Sequence, residues 1–299
     1  MRRTTSGATT SATRSRRPSD ERCARACDVL VYDRLVAPEL VDEAPAGALR
    51  IERDRLEQEE VNELLVAHGL LGDNVVRLKG GDPFLFGRGG EEALALVEAG
   101  VPFEVVPGVS SLASVPGSAG IPVTHRGIAS AVTAFAAHDV EGLDAAALAR
   151  TPGTLVAFMG LTGLERLAER LIEHGRRAST PAAVVSAGTT VDERVITAPL
   201  EMIAHAARDL PTPALVVIGE VVAVRAALQR AGQRGAPRSR EIPRAVSTTT
   251  AATSGSRLRR RSRSFGPATP TAPIASVRRS KIGAATPASP SRASSRSTA

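Results

Sequence analysis

The chain has 299 residues and 42% hydrophobic content, enough for a sizeable core, but only 2% aromatic residues, no Trp and one Tyr, so that core has to be aliphatic. Its net charge of +7 is unevenly spread: residues 1–27 carry seven basic and two acidic side chains, 28–227 carry 16 and 28, and 228–299 carry 15 and one, so the basic character sits in the ends and does not make the middle a nucleic-acid binder. Cys23 and Cys27, four apart, form neither a disulfide framework nor a CxxC motif, and no apolar run reaches the roughly 18 residues of a membrane span or the h-region of a signal peptide.

Residues 1–22 are rich in Arg, Ser and Thr, with too little apolar surface to fold, a composition shared with organellar transit peptides. Val29-Leu30-Val31-Tyr32 reads as a buried strand, which places Asp33 at a strand's carboxyl end, where α/β proteins collect functional groups; capping of the next turn is the plainer alternative. Gln58-Glu59-Glu60 opens a helix with Val61, Leu64, Leu65 and His68 on one stripe, His68 being read as a helix-end residue.

The chain is organised around Val75 to Glu92. Val75-Val76-Arg77-Leu78 reads as a short strand, Gly80 and Gly81 permit a tight turn and close approach to a ligand, and Glu91 to Gly100 reads as a helix. In an open parallel sheet, such a turn is where a small molecule meets backbone N–H groups at a helix N-terminus. By itself Gly-Gly-Asp-Pro is equally an ordinary turn. Gly100 and Pro102 end the helix, Val105-Val106 is the next strand, and Pro107 to Ser111 makes another strand-to-helix turn, its two hydroxyls suited either to a ligand or to capping. The Thr124-His125-Arg126 turn closes a first domain.

The second half repeats the rhythm: Thr154 to Phe158 as strand, Leu164, Leu167, Leu171 and Ile172 as a helix stripe, Val184-Val185 as strand, Pro199 to Ala207 as helix and Ala214 to Ile218 as strand. Alternation of this kind implies helices covering a largely parallel or mixed sheet. Beyond Arg230 the chain is Arg, Ser, Thr, Pro and Ala, disordered by composition; a solvated tail and a salt-sensitive contact with nucleic acid or an acidic partner both remain open, with Phe265 the only aromatic ring available there for stacking.

The segment Arg77-Leu78-Lys79-Gly80-Gly81-Asp82-Pro83-Phe84-Leu85-Phe86-Gly87-Arg88-Gly89-Gly90-Glu91-Glu92, with Val106-Pro107-Gly108-Val109-Ser110-Ser111 and Gly120 to Gly127, resembles the uroporphyrinogen III C-methyltransferases, over residues 24–227. The resemblance implies a two-domain α/β tetrapyrrole methylase fold: an N-terminal domain at 23–127, a C-terminal domain at 128–229, a cleft between them, and disordered basic segments at 1–22 and 230–299. It implies a cytoplasmic, homodimeric enzyme without membrane contact that methylates uroporphyrinogen III at two ring carbons to give precorrin-2, with S-adenosyl-L-methionine as methyl donor and no metal. It assigns Gly80, Gly81, Asp82, Leu85, Ser110, Ser111, Met159, Gly188 and Ala214 to the cofactor, and Asp33, Arg88 and Glu91 to substrate handling or proton removal. A local Arg88–Glu91 ion pair is the plainer reading of the last two.

Two stretches depart from the family pattern. Its first strand and Pro-Gly-Asp loop have no counterpart here, which reads as a disrupted or mis-assigned front. Its Gly-Lys-Arg-x-Gly segment is replaced by Arg50 to Arg55, and since the only lysines are Lys79 and Lys281, the proton-donor role is vacant or falls to an arginine, whose pKa is high for it. Alternative readings are another precorrin methyltransferase, an inactive remnant, or a basic-tailed binding protein. No GxGxxG with a downstream acid supports a nicotinamide enzyme.

Overall fold

The computed structural model describes the backbone of residues 4–9 and 18–235 and the side chains of residues 20–231; what the sequence suggests for the rest of the basic tail lies outside them. The first sheet contains β1 (Thr4–Thr9), β2 (Val29–Tyr32), β3 (Leu49–Glu52), β4 (Val75–Gly80) and β5 (Phe103–Val106), in the order β3-β2-β4-β1-β5, every pair parallel. Parallel strands need crossovers, and α1 (Pro18–Arg25), α2 (Pro38–Val41), α3 (Gln58–Leu71), α4 (Gly89–Glu98) and α5 (Ser111–Ser118) lie on or next to them.

Side-chain alternation divides this sheet's core in two. Leu30, Val76 and Leu78 point to one face, with Ala24 of α1 and Leu40 of α2, while Val29, Val31 and Val75 point to the other, with Val61 and Leu65 of α3 and Leu96 of α4. Central β4 is consequently buried from Val75 to Lys79.

The front of the chain differs from the sequence expectation. Thr4–Thr9, inside the stretch expected to stay unfolded, forms β1, pairing Thr5 with Val76 on one side and Thr5 with Glu104 on the other. Side-chain burial is not what holds such a strand. A central strand is held by backbone bonds to two neighbours, which Thr-Thr-Ser-Gly-Ala-Thr supplies as well as an apolar run does, and β-branched threonine suits the extended backbone. A strand therefore stands at the front of the chain, without the apolar signature that would announce it.

The second sheet contains β6 (Val132–Ala136), β7 (Thr154–Phe158), β8 (Pro181–Ser186), β9 (Arg194–Pro199) and β10 (Ala214–Ile218), in the order β6-β7-β10-β8-β9. Only β6–β7 is parallel. Its helices are α6 (Ala145–Arg150), α7 (Leu164–Glu173), α8 (Ile203–Ala207) and α9 (Val222–Gly235). Helix α7 buries Leu164, Leu167 and Leu171 and exposes Glu165, Arg166 and Glu169, the stripe read from its spacing. Pro199 ends strand β9 rather than opening a helix, and α8 begins at Ile203. β9 is an edge strand with mixed exposure, so it has no strong apolar alternation to read.

On the face of the second sheet opposite α7, Val156, Val185, Leu215 and Val217 form a core with Ala119 and Ile121, and Leu112 and Val115 of α5 pack against it. Helix α5 thus leaves the first sheet and lies against the second. That placement builds the cleft.

Candidate functional site

A cleft of about 390 Å³ lies between α5, the loop after β2, and the ends of β7, β8 and β10. Its walls are apolar where Leu35, Val115, Val185 and Leu215 line it, and polar at Ser111, Ser114, Thr162, Thr189 and Thr212. Four predicted cofactor residues meet there from four separate elements: Ser111 at the start of α5, Met159 just after β7, Gly188 just after β8 and Ala214 opening β10.

The backbone around this cleft is unusual. Met159, Ala187 and Thr189 adopt left-handed φ values of 55°, 46° and 69°, conformations costly for residues with a Cβ. Gly188 is required by space: a Cβ there would lie 2.5 Å from Val115 Cγ1. The loop is held by Glu193, whose Oε2 accepts from Thr189 N at 2.7 Å and from Ser118 Oγ at 2.5 Å, the latter bond reaching α5. Loop and α5 are therefore clamped together where both line the cleft.

The glycine block forms a tightly wound loop. Asp82 Oδ1 accepts from Phe84 N and its Oδ2 from Gly108 N, both at 2.9 Å, so the carboxylate ties the β4–α4 loop to the β5–α5 loop. Gly89 N donates to Pro83 O at 2.9 Å, and Cβ atoms on Gly87 and Gly89 would come within 2.8 and 2.6 Å of that same carbonyl, so the loop is wound around Pro83 as only glycine allows. Gly81 has φ +77° and stands against Ser111. Ser110 caps α5, its Oγ accepting from Leu112 N at 3.1 Å. Gly80, Gly81, Asp82, Leu85 and Ser110 shape the loops that adjoin the cleft at Ser111 without being among its lining residues, and Phe86 of the same block packs at a tilt on the cleft residue Phe158, ring centroids 4.8 Å apart.

The three candidate catalytic residues do not converge on the cavity. Asp33 follows β2, beside the lining residues Arg34 and Leu35, and its carboxylate accepts from Arg77 Nη2. Arg77 in turn donates from Nε to Glu92 Oε1 at 3.1 Å, and Lys79 Nζ reaches the same oxygen at 2.7 Å. Arg77, Lys79 and Glu92 are 1–2% exposed, a buried ionic cluster in which only Asp33 is partly open to solvent. Burial, reinforced by the neighbouring Arg77 cation, pushes the Lys79 ammonium below its ordinary pKa. Locked onto Glu92, Lys79 is not placed to stand in for the family's lysine.

Arg88 and Glu91 form the local pair that their spacing suggests, bidentate at 2.9 Å (Nε to Oε1) and 2.7 Å (Nη2 to Oε2), on the exposed start of α4. The bond from Arg88 holds the Glu91 carboxyl below its usual range.

A family model for Tetrapyrrole (Corrin/Porphyrin) Methylases matches residues 20–204. The chain belongs to the tetrapyrrole methylase family. Among this methylase's relatives, siroheme synthase of Sodalis glossinidius (strain morsitans) is 45% identical over 216 residues, 69% of this chain and 46% of the relative, and siroheme synthase 1 of Serratia proteamaculans (strain 568) is 48% identical over 204 residues, 65% and 43% respectively. The methylase spans about half the length of the curated relatives it matches. A solved structure of uroporphyrin-III C-methyltransferase from Thermus thermophilus, complexed with S-adenosylhomocysteine, superposes with a TM-score of 0.65 at 36% identity, covering 74% of this chain and 99% of that one. A cobalt precorrin-4 methyltransferase at 22% identity, TM-score 0.66, covering 73% and 95%, shares the fold.

Sequence reading missed the buried Arg77–Glu92–Lys79 cluster and Glu193. For the cluster the signal was available: Arg77 and Lys79 alternate with apolar residues in a central strand, and an acid follows in the first turn of the next helix. Nothing in the sequence pairs Glu193 with Ser118, 75 positions away.

Proposed function

We propose that this methylase transfers methyl groups from S-adenosyl-L-methionine to two ring carbons of uroporphyrinogen III, giving precorrin-2, the entry to sirohaem and cobalamin synthesis. The observation that carries this reading is the convergence of Ser111, Met159, Gly188 and Ala214 on one cleft between the two sheets, in a chain of this family. The cleft fits the cofactor chemically. Apolar walls suit an adenine ring, and the hydroxyls of Ser111, Ser114, Thr162 and Thr189 suit the polar ribose and amino-acid ends. The cofactor, when bound, supplies an electrophilic methyl on a sulfonium.

The chain's own residues do the rest. The clamp of α5 and the Thr189 loop fixes the cleft's width and limits water at its wall. Arg88, exposed and bidentate, exchanges Glu91 for a carboxylate of the substrate. That exchange relieves Glu91 of the bond that depresses its pKa and turns it into a better proton acceptor. Asp33, held by Arg77, is the second candidate to receive the ring proton. The cytoplasmic location and the homodimer are carried over from the family resemblance; among the described residues no helix is long and apolar enough to cross a membrane.

The direct test incubates the purified chain anaerobically with uroporphyrinogen III and S-adenosyl-L-methionine. The reading expects a product carrying two added methyl groups. Methylation of a corrin precursor in its place would assign the chain to a later step, and cofactor consumption by neither class would remove the reading.

A further inference from the structure

The loop between β8 and β9 forms part of the cleft wall, and its backbone is held in a costly shape. Ala187 and Thr189 both have left-handed φ, 46° and 69°. For a β-branched residue such as Thr189 that conformation is a genuine outlier, kept only where the surroundings fix it. Three bonds fix the Ala187 end: Ala187 N donates to Pro213 O at 2.9 Å, and Thr190 N and Oγ1 donate to Ala187 O at 3.2 and 2.6 Å. The Thr189 amide is held from the far side of the loop, donating to Glu193 Oε2 at 2.7 Å.

Glu193 is not among the residues lining the cleft, but both of its partners sit on elements that are. Its Oε2 also accepts, at 2.5 Å, from the hydroxyl of Ser118, the last residue of α5, and α5 supplies Ser111, Ser114 and Val115 to the cleft. The same hydroxyl lies 2.9 Å from Val115 O in its own helix; the shorter contact and the charge of the carboxylate favour Glu193. One carboxylate oxygen therefore spans the two elements, and beside this bridge Gly188 leaves no room for a Cβ against Val115. Releasing the bridge frees Thr189 to return to negative φ, which turns its side chain and the adjoining Gly188 peptide away from their places in the cleft wall.

We propose that Glu193 is a positioning residue for the cofactor: by holding Thr189 and α5 on one oxygen, it presets the wall against which S-adenosyl-L-methionine binds. The inference rests on reading the cleft as the cofactor's site. A wall that has to be ordered at each binding event subtracts that cost from the affinity, whereas a preset one does not. Glu193 acts on both partners as an acceptor, so an amide oxygen of the same reach can replace it and a methyl group cannot.

The test is calorimetric titration of the intact chain and its variants with S-adenosylhomocysteine, at a temperature where circular dichroism shows each of them folded. Glu193→Ala is expected to raise the dissociation constant about 5–30-fold, the cost of re-forming one left-handed residue. Glu193→Gln is expected to bind as wild type does. Ser118→Ala removes only the half of the bridge that reaches α5; a smaller loss is expected there, and it gives the readout should Glu193→Ala not fold. A lower melting temperature for Glu193→Ala with unchanged affinity in the folded chain would make the bridge purely structural and overturn the proposal. So would a Glu193→Gln chain that binds no better than Glu193→Ala. Absence of binding by the folded wild-type chain is a separate failure, which removes the cofactor reading and the role of Glu193 with it.

Discussion

At the scale of single residues the first domain carries two ionic arrangements of opposite character. Arg88 and Glu91 are exposed, so their pairing contributes little to stability and is free to be exchanged. Arg88→Ala is expected to lower kcat/KM for uroporphyrinogen III by about 10–100-fold, the loss of one charge-assisted contact, while leaving S-adenosylhomocysteine affinity unchanged. Steady-state kinetics beside a calorimetric titration would check both halves. The Arg77–Glu92–Lys79 cluster cannot be exchanged. Glu92→Gln leaves two buried cations facing each other and should lower unfolding stability by about 3–5 kcal/mol in urea titration. Lys79 gives a pH signature. Its pKa is lower folded than the ordinary 10.5 of the unfolded chain, so between those two values the unfolded state binds more protons and stability rises with pH. Lys79→Met should lack that alkaline gain, which pH-dependent melts of the two proteins would show by difference.

At the scale of elements, the cleft is made by α5 crossing from one sheet to the other and by the loop after β8 that meets it. Gly188 packs against Val115 with no room for a Cβ between them. Gly188→Ala should weaken S-adenosylhomocysteine binding and cost about 1–3 kcal/mol of stability through overpacking, and Val115→Ala in the same chain should recover much of both. A recovery that failed to appear would show that the glycine serves the ligand alone. The sequence makes some of these elements plain and hides others, for physical reasons. β2, β4, β7 and β10 are buried aliphatic runs and read directly, as does the one-sided stripe of α7. β1 and β9 hold their places by backbone pairing and edge position, with little apolar content, so periodicity passes over them. Met159, Gly188 and Ala214 were found only through family resemblance, because each is locally a strand end or a turn and acquires meaning when four distant elements meet. The glycine block was legible as a loop. Its winding around Pro83 and its tie to Gly108 through Asp82 are tertiary contacts that no local pattern announces.

At the scale of the whole molecule, a parallel and a mixed sheet share one cleft, and the strand that completes the first of them is the least conspicuous segment of the chain. β1 lies between β4 and β5, so removing residues 1–9 leaves two facing rows of unpaired backbone groups. Such a truncation is expected to lose cooperative unfolding, as followed by circular dichroism, and a truncated chain with an unchanged melt would show that β1 is dispensable. The central claim is that the cleft between the sheets is a working cofactor site, and calorimetric titration of the intact chain with S-adenosylhomocysteine tests it most directly. Saturable binding with one ligand per chain, weakened by Gly188→Ala, is the expected result. A chain that melts cooperatively yet gives no binding heat at any temperature tried would contradict it.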